Sequence, residues 1–121
     1  MKPTDEQASA WTEAFDSGKF VRKSSEFRDS ISKGGAFDVE SGRYHLYISH
    51  ACPWAHRTLI MRTLLGLEDH ISVDVVDWRM NADGSWSFNP DEEGATADRV
   101  NGESSLEGIY NRAFEGWNES R

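Results

Sequence analysis

The sequence predicts an α/β fold built on one β-α-β unit. Three observations carry this. Tyr44-His45-Leu46-Tyr47-Ile48-Ser49 is a short run of β-favouring residues. Residues 53–65 place apolar side chains at helical spacing, and Ile71-Ser72-Val73-Asp74-Val75-Val76 alternates as a strand does. A strand, a helix and a strand in such short succession join as a parallel, right-handed crossover.

The elements follow in order. Residues 1–10 form a polar leader. In residues 11–40, Trp11, Phe15, Phe20, Phe27, Ile31 and Phe37 are scattered among charges with neither period. This predicts an irregular N-terminal arm over 1–40 that wraps a core, with a short helix near 24–32 stopped by Gly34-Gly35. After the strand at 44–49, Leu59, Ile60, Thr63 and Leu64 line a helix over 53–65. Pro53 suits its first turn and Gly66 its left-handed cap. The second strand is 71–76. A turn-rich excursion over 77–97 follows, of a length usually functional or disordered. A second helix is expected over 104–115, with Ser104 and Glu107 as a capping box. Leu106, Ile109, Tyr110, Ala113 and Phe114 share its apolar face, and Gly116 comes after it. Residues 41–121 thus read as a β-α-β-α partial domain. Two parallel strands need further neighbours and cover on both faces. The sequence therefore reads as the first half of a larger protein.

Composition narrows the function. The 121 residues carry 21 acidic and 13 basic side chains, a net charge of -8, with no basic block to neutralise phosphates. That argues against nucleic acid as a partner and suits an acidic, salt-adapted surface. No apolar run is long enough to span a bilayer, so no membrane partner is expected. The stretch MKPTDEQASA has no apolar segment after its lysine, which excludes a secretory signal there. One cysteine cannot form an internal disulfide. Together these features predict a cytoplasmic chain.

That cysteine, Cys52, lies in Ser49-His50-Ala51-Cys52-Pro53-Trp54-Ala55-His56-Arg57. It falls between a strand and a helix, so its sulfur belongs at a helix N-terminus. Unpaired backbone N–H groups and the helix dipole stabilise a thiolate there, giving a usable nucleophile. Pro53 sets the first-turn φ without wasting a donor, and Trp54 offers an apolar wall. The alternative is a buried structural thiol, common for free cysteine; the strand–Cys–Pro–helix placement argues against it. Position 55 is Ala, so there is no C-x-x-C dithiol, and an external thiol must resolve any mixed disulfide. His56, four residues on, lies on the face of Cys52 and can support a thiolate, with a surface or packing role as the alternative. His50 reads as a surface or packing histidine and His45 as structural. One cysteine and scattered histidines lack paired-ligand spacing, so no metal is expected.

These residues resemble a known family. Ser49-x-x-Cys52-Pro53-Trp54-Ala55-His56-Arg57, preceded by Gly42-Arg43-Tyr44-His45-Leu46-Tyr47, is similar to the glutathionyl-hydroquinone reductases, the xi-class glutathione transferases. Gly18-Lys19-Phe20-Val21-Arg22 and Phe27-Arg28-Asp29-Ser30-Ile31 resemble the family's N-terminal arm. Thr58-Leu59-Ile60 through Gly66-Leu67 and Ile71-Ser72-Val73 continue in register. Gly84-Ser85-Trp86-Ser87-Phe88 resembles a Gly-Trp-x-Phe loop with one residue inserted. The resemblance spans roughly residues 11–115.

The resemblance implies a thioredoxin-like half of a glutathione-transferase fold, joined in the family to an all-helical domain. It implies glutathione, or another low-molecular-weight thiol, as co-substrate and a quinone-derived conjugate as partner. Cys52 becomes the nucleophile that forms a mixed disulfide with glutathione. Trp86 becomes the tryptophan that packs against glutathione, with a core or loop-anchor tryptophan as the alternative, and Pro53 and Trp54 border the substrate. The family's Val-Pro segment, its acid–serine pair and its helical domain, which supplies homodimer contacts, would lie beyond Arg121. Glu103-Ser104 matches the acid–serine pair only as a dipeptide and precedes the second helix, so helix capping explains Ser104 better. A truncated member is expected.

Three functions compete at this stage. One is thiol-dependent reduction of S-glutathionyl-hydroquinones through Cys52. Another is a truncated, non-catalytic fragment or interaction module that pairs its open edge with a partner. The third is a glutaredoxin-like monothiol reductase, disfavoured by Trp54 and the long 77–97 excursion.

Overall fold

A computed structural model of the chain describes residues 15–16, 19–20 and 27–114. Its elements are β1 (Phe15–Asp16), β2 (Lys19–Phe20), β3 (Tyr44–Ile48), α1 (Pro53–Leu64), β4 (Ile71–Val75) and α2 (Leu106–Ala113). They fall into two units, Met1–Val39 with Ala82–Gly84, and Glu40–Asn81 with Ser85–Arg121. The predicted leader, residues 24–26 of the predicted arm helix and Gly116 lie outside the described residues.

In the first unit β1 and β2 pair antiparallel, Phe15 against Phe20 and Asp16 against Lys19. The helix expected near 24–32 is corrected: residues 27–32 are not helical. Ile31 instead bridges Phe37 in parallel, and Ser32 N–H donates to the Phe37 carbonyl at 2.9 Å. The cause is local. Asp38 accepts from Gly34 N–H at 3.1 Å and from Val39 N–H at 2.7 Å, and so closes a turn over Gly34-Gly35. A turn competes better here than a helix with few apolar neighbours.

The second unit is α/β. β3 and β4 pair in parallel, from Tyr44↔Ile71 to Ile48↔Val75. Alternation sorts the side chains. Leu46, Ile48, Val73 and Val75 share one face. His45, Tyr47, Ser72 and Asp74 share the other, which is polar where a parallel pair is normally apolar on both sides. Among the described residues Ile48, Val75 and Val76 are the buried hydrophobics.

α1 starts at Pro53, where the missing N–H costs nothing. It ends one residue before the predicted boundary, in a left-handed cap. Gly66 has φ 65°, Gly66 N–H reaches the Thr63 carbonyl at 3.1 Å and Leu67 N–H the Arg62 carbonyl at 2.9 Å. That double bond is the Schellman arrangement. Arg62 ties the helix to the start of β4, donating to the Ile71 carbonyl at 2.6 Å and the Glu68 carbonyl at 2.9 Å. Leu59 is half-buried, but Leu64 is 72% exposed and Ile60 and Met61 are exposed as well. The apolar face read from the sequence is thus split, because two strands cover only a narrow line of the helix.

α2 starts later than its predicted capping box. Ser105, not Ser104, is the N-cap, and its Oγ accepts from Gly108 N–H at 3.4 Å. The Ser104 carbonyl is already taken by Phe88 N–H at 2.9 Å, and Ser105 bridges Ser87. The chain is therefore held extended through 105 before it can coil. Along α2, Leu106 and Ile109 are half-buried, while Tyr110, Ala113 and Phe114 are exposed.

Candidate active site

The turn from β3 into α1 is built by Ser49. Its hydroxyl accepts from Ala51 N–H at 3.2 Å and its carbonyl from Cys52 N–H at 3.1 Å. Ser49 is buried, and this pairing ends the strand one residue before the predicted boundary. Cys52 then sits at the N-cap of α1 with extended backbone, φ -93° and ψ 112°. Its thiol makes no capping hydrogen bond, and the residue is half-buried. The residue is thus partly exposed, at the helix end where backbone N–H groups point outward. Pro53 and Trp54 open the helix, with Trp54 59% exposed. His56 is exposed and joins Cys52 through the backbone, its N–H donating to the Cys52 carbonyl at 3.0 Å.

Trp86 is half-buried on the segment that returns to the same end of the strands. Val76 N–H donates to the Ile48 carbonyl and Asp77 N–H to the Ser87 carbonyl, both at 2.9 Å. Leu106 N–H fixes the Trp86 carbonyl, also at 2.9 Å. The carboxyl ends of parallel strands are where open α/β sheets bind ligands. Cys52 and the Trp86 segment both lie there.

The 77–97 excursion is pinned by charge. Asp77 accepts from Arg79 Nε at 3.2 Å, from Arg79 N–H at 2.9 Å and from Asn89 Nδ2 at 3.0 Å. The Arg79 hydrogen bonds come first among the causes that hold its carboxyl down at about 2. Arg79 also pairs with Glu92 and lies 5.0 Å over the Trp78 ring, while Trp78 Nε1 donates to Glu92 at 3.3 Å.

The polar face of the sheet holds a second network, absent from the sequence reading. Asp74 is fully buried. It accepts from His45 Nε2 and from Arg99 N–H at 2.9 Å each, from Thr96 Oγ1 at 3.2 Å and from Arg99 Nε. An ionised carboxylate only accepts, so His45 Nε2 is the donor in this pair. Burial pushes the Asp74 carboxyl up, but the Arg99 hydrogen bonds and the nearby positive charges outweigh it, and the group is held below the usual range.

Asp98 accepts from Tyr47 Oη at 2.9 Å, from Val100 and Asn101 N–H at 3.0 Å each, and from Glu103 N–H at 2.9 Å. Burial opposes its ionisation, yet these donors bring it down to about 2. The Tyr47 hydroxyl is pushed up to about 12, by burial first and then by Asp98.

A depressed carboxylate stabilises the fold above its unfolded value and loses that contribution as pH falls through its folded value. For Asp98 the window runs from about pH 4 down to about pH 2. Asp98→Asn is expected to lower the urea midpoint at pH 7 and to narrow its gap from the wild type as pH drops towards about 2. Urea titrations across that range check this; a gap constant with pH would remove Asp98 as the acid-labile group.

The second unit is thus a parallel strand pair joined through a helix whose N-cap is a cysteine. Known proteins share this arrangement. No protein-family model matches the chain. It is 47% identical over 105 residues to a glutathionyl-hydroquinone reductase of Sphingobium chlorophenolicum, covering 86% of this chain and 32% of that protein. The crystal structure of the xi glutathione transferase from Phanerochaete chrysosporium matches with a TM-score of 0.72 at 46% identity, over 77% of this chain and 32% of that one. The glutathione-bound structure of a glutathione transferase homologue from Escherichia coli matches with a TM-score of 0.62 at 51% identity, over 66% and 26%. Over these residues the chain is similar to the xi-class glutathione transferases, the glutathionyl-hydroquinone reductases among them, and matches the N-terminal part of these proteins. It spans between about a fifth and a third of the length of the curated relatives it matches. Among the described residues no helix is long and apolar enough to cross a membrane.

Proposed function

We propose that this chain carries the thiol site of a glutathione-dependent reductase of S-glutathionyl-hydroquinones. The supporting observation is Cys52: a half-buried thiol without a capping bond, at the N-terminus of α1, directly before Pro53. The Cys52 thiolate attacks the sulfur of the conjugate. The S–S bond to glutathione forms, the sulfur–ring bond breaks, and the ring carbon takes a proton to leave as the hydroquinone. A second glutathione thiolate attacks the mixed disulfide, departs as glutathione disulfide and restores Cys52. Trp86 packs against the glutathione, Pro53 and Trp54 border the conjugate, and His56 supports the thiolate. A reducing cytoplasm keeps Cys52 free between cycles.

The test is to incubate the chain with a glutathionyl conjugate of a benzohydroquinone. Free hydroquinone and a Cys52-linked glutathionyl adduct in the intact mass are expected. The absence of both products would refute the reading.

A second reading is favoured by a separate observation. Ile60, Met61 and Leu64 of α1, with Leu65 at its C-cap, expose an apolar stripe, which suits a chain that works against a partner surface. Sedimentation that is monomeric at all concentrations, with full activity, would exclude it.

A further inference from the structure

We propose that Asp74 and Arg99 are positioning residues for the glutathione side of the Cys52 site, latching residues 96–106 to the sheet so that this segment holds the Trp86 backbone in place. The inference rests on the reading of Trp86 as the residue that packs against glutathione.

The latch is a continuous series of contacts. Asp74 grips the segment at Thr96 and at both the backbone and side chain of Arg99. Thr96 is also stitched to β4, accepting from Val75 N–H at 3.0 Å through Oγ1 and donating to the Val75 carbonyl at 2.7 Å through its own N–H. Asp98 then gathers three backbone donors, Val100, Asn101 and Glu103 N–H, and is itself held by Tyr47 of β3. Past Glu103 the chain runs extended. The Ser104 carbonyl takes Phe88 N–H and Leu106 N–H gives to the Trp86 carbonyl, both at 2.9 Å. Those two bonds flank Trp86. Phe88 also packs edge-on to Tyr47, with ring centroids 5.7 Å apart.

A buried carboxylate in a strand costs desolvation that an apolar residue would not, so stability alone does not explain Asp74. What the carboxylate adds is direction. It fixes where a segment without helix or strand must lie, and that segment ends on the backbone of Trp86. The Arg99 side chain is 64% exposed and closes the latch from the solvent side, so it can be removed without opening the core.

Hydrogen exchange on the full chain tests this, with Arg99→Ala and Asp74→Asn. In both variants the Phe88 and Leu106 amides are expected to exchange about tenfold faster or more, while Val76, bonded within the strand pair, keeps its protection. The second readout is formation of the Cys52 adduct from glutathione disulfide, in which Cys52 displaces one glutathione thiolate. The half-saturating concentration should rise severalfold at an unchanged saturating rate, with an unchanged rate of Cys52 alkylation by iodoacetamide. Unchanged protection at Phe88 and Leu106 would overturn the latch. So would loss at Val76 in Arg99→Ala, which marks general destabilisation. Lost protection with unaltered adduct formation would overturn the positioning role. If the wild type forms no adduct, the glutathione reading itself fails, and the exchange data alone decide the latch.

Discussion

Cys52→Ser is expected to abolish hydroquinone release while leaving the chain as stable as before, or slightly more so. The two halves of this expectation have different causes. A serine hydroxyl does not ionise near neutral pH and cannot form a disulfide, so no glutathionyl intermediate forms. The fold is indifferent to the change because the Cys52 thiol makes no capping bond and the residue is only half-buried. The backbone there is already extended, as an N-cap requires. Serine is among the favoured N-caps, so the variant can gain up to about 1 kcal/mol. Hydroquinone release and the urea midpoint, measured on the same preparation, check both halves. Residual release would move the chemistry to another group. A lower midpoint together with lost release would leave open that Cys52 is a packing residue.

The β-α-β unit was legible because its signals are local. Tyr44–Ile48 and Ile71–Val75 are rich in β-favouring residues, and between them Pro53 and Gly66 mark the two ends of α1. The cysteine corner follows from the same punctuation, and the motif around it carried the family. What was not legible depends on partners distant in sequence. Ser104 and Glu107 form a sound local capping box, yet Phe88, far back in the chain, holds Ser104 extended and moves the cap to Ser105. Over residues 27–32 the expected helix lost to an Asp38-centred turn. Asp74 stood in plain view, a carboxylate inside a strand that must be covered. Its match, His45, lies on the same face of β3, while Arg99 comes 25 residues later from a stretch with no periodic signal. Ser49 was read as part of a motif, but its structural task, ending β3 and turning the chain towards Cys52, needed the backbone to be seen.

Asp74→Ala is expected to be the most damaging substitution for stability, costing about 3–5 kcal/mol, as breaking a buried pair by removing one partner does. Four donors lose their acceptor at once: His45 Nε2, Thr96 Oγ1, Arg99 N–H and Arg99 Nε. They do not suffer equally. The Arg99 guanidinium can turn to water, being 64% exposed, and the Thr96 hydroxyl can turn its single hydrogen to the Ala97 carbonyl at 2.8 Å. His45 cannot escape as easily, since its side chain is 12% exposed. That asymmetry puts the cost near the lower end of the range. A chain of this length is stabilised by roughly 6–18 kcal/mol in total, at about 0.05–0.15 kcal/mol per residue. With Ile48, Val75 and Val76 as the buried hydrophobics among the described residues, the lower part of that scale applies. The variant should therefore stay folded in water but keep only about half of its stability. Urea unfolding of Asp74→Ala, His45→Ala and the double variant separates the contributions. If His45 is the main sufferer, the double variant costs clearly less than the sum, by about 0.5–3 kcal/mol. If the two costs simply add, the weight of Asp74 lies in its grip on residues 96–99, and the sheet's polar face serves the segment that holds Trp86 more than it serves the sheet. A loss under about 1 kcal/mol, the usual effect of an ordinary surface change, would mean that Asp74 is not the buried anchor described above.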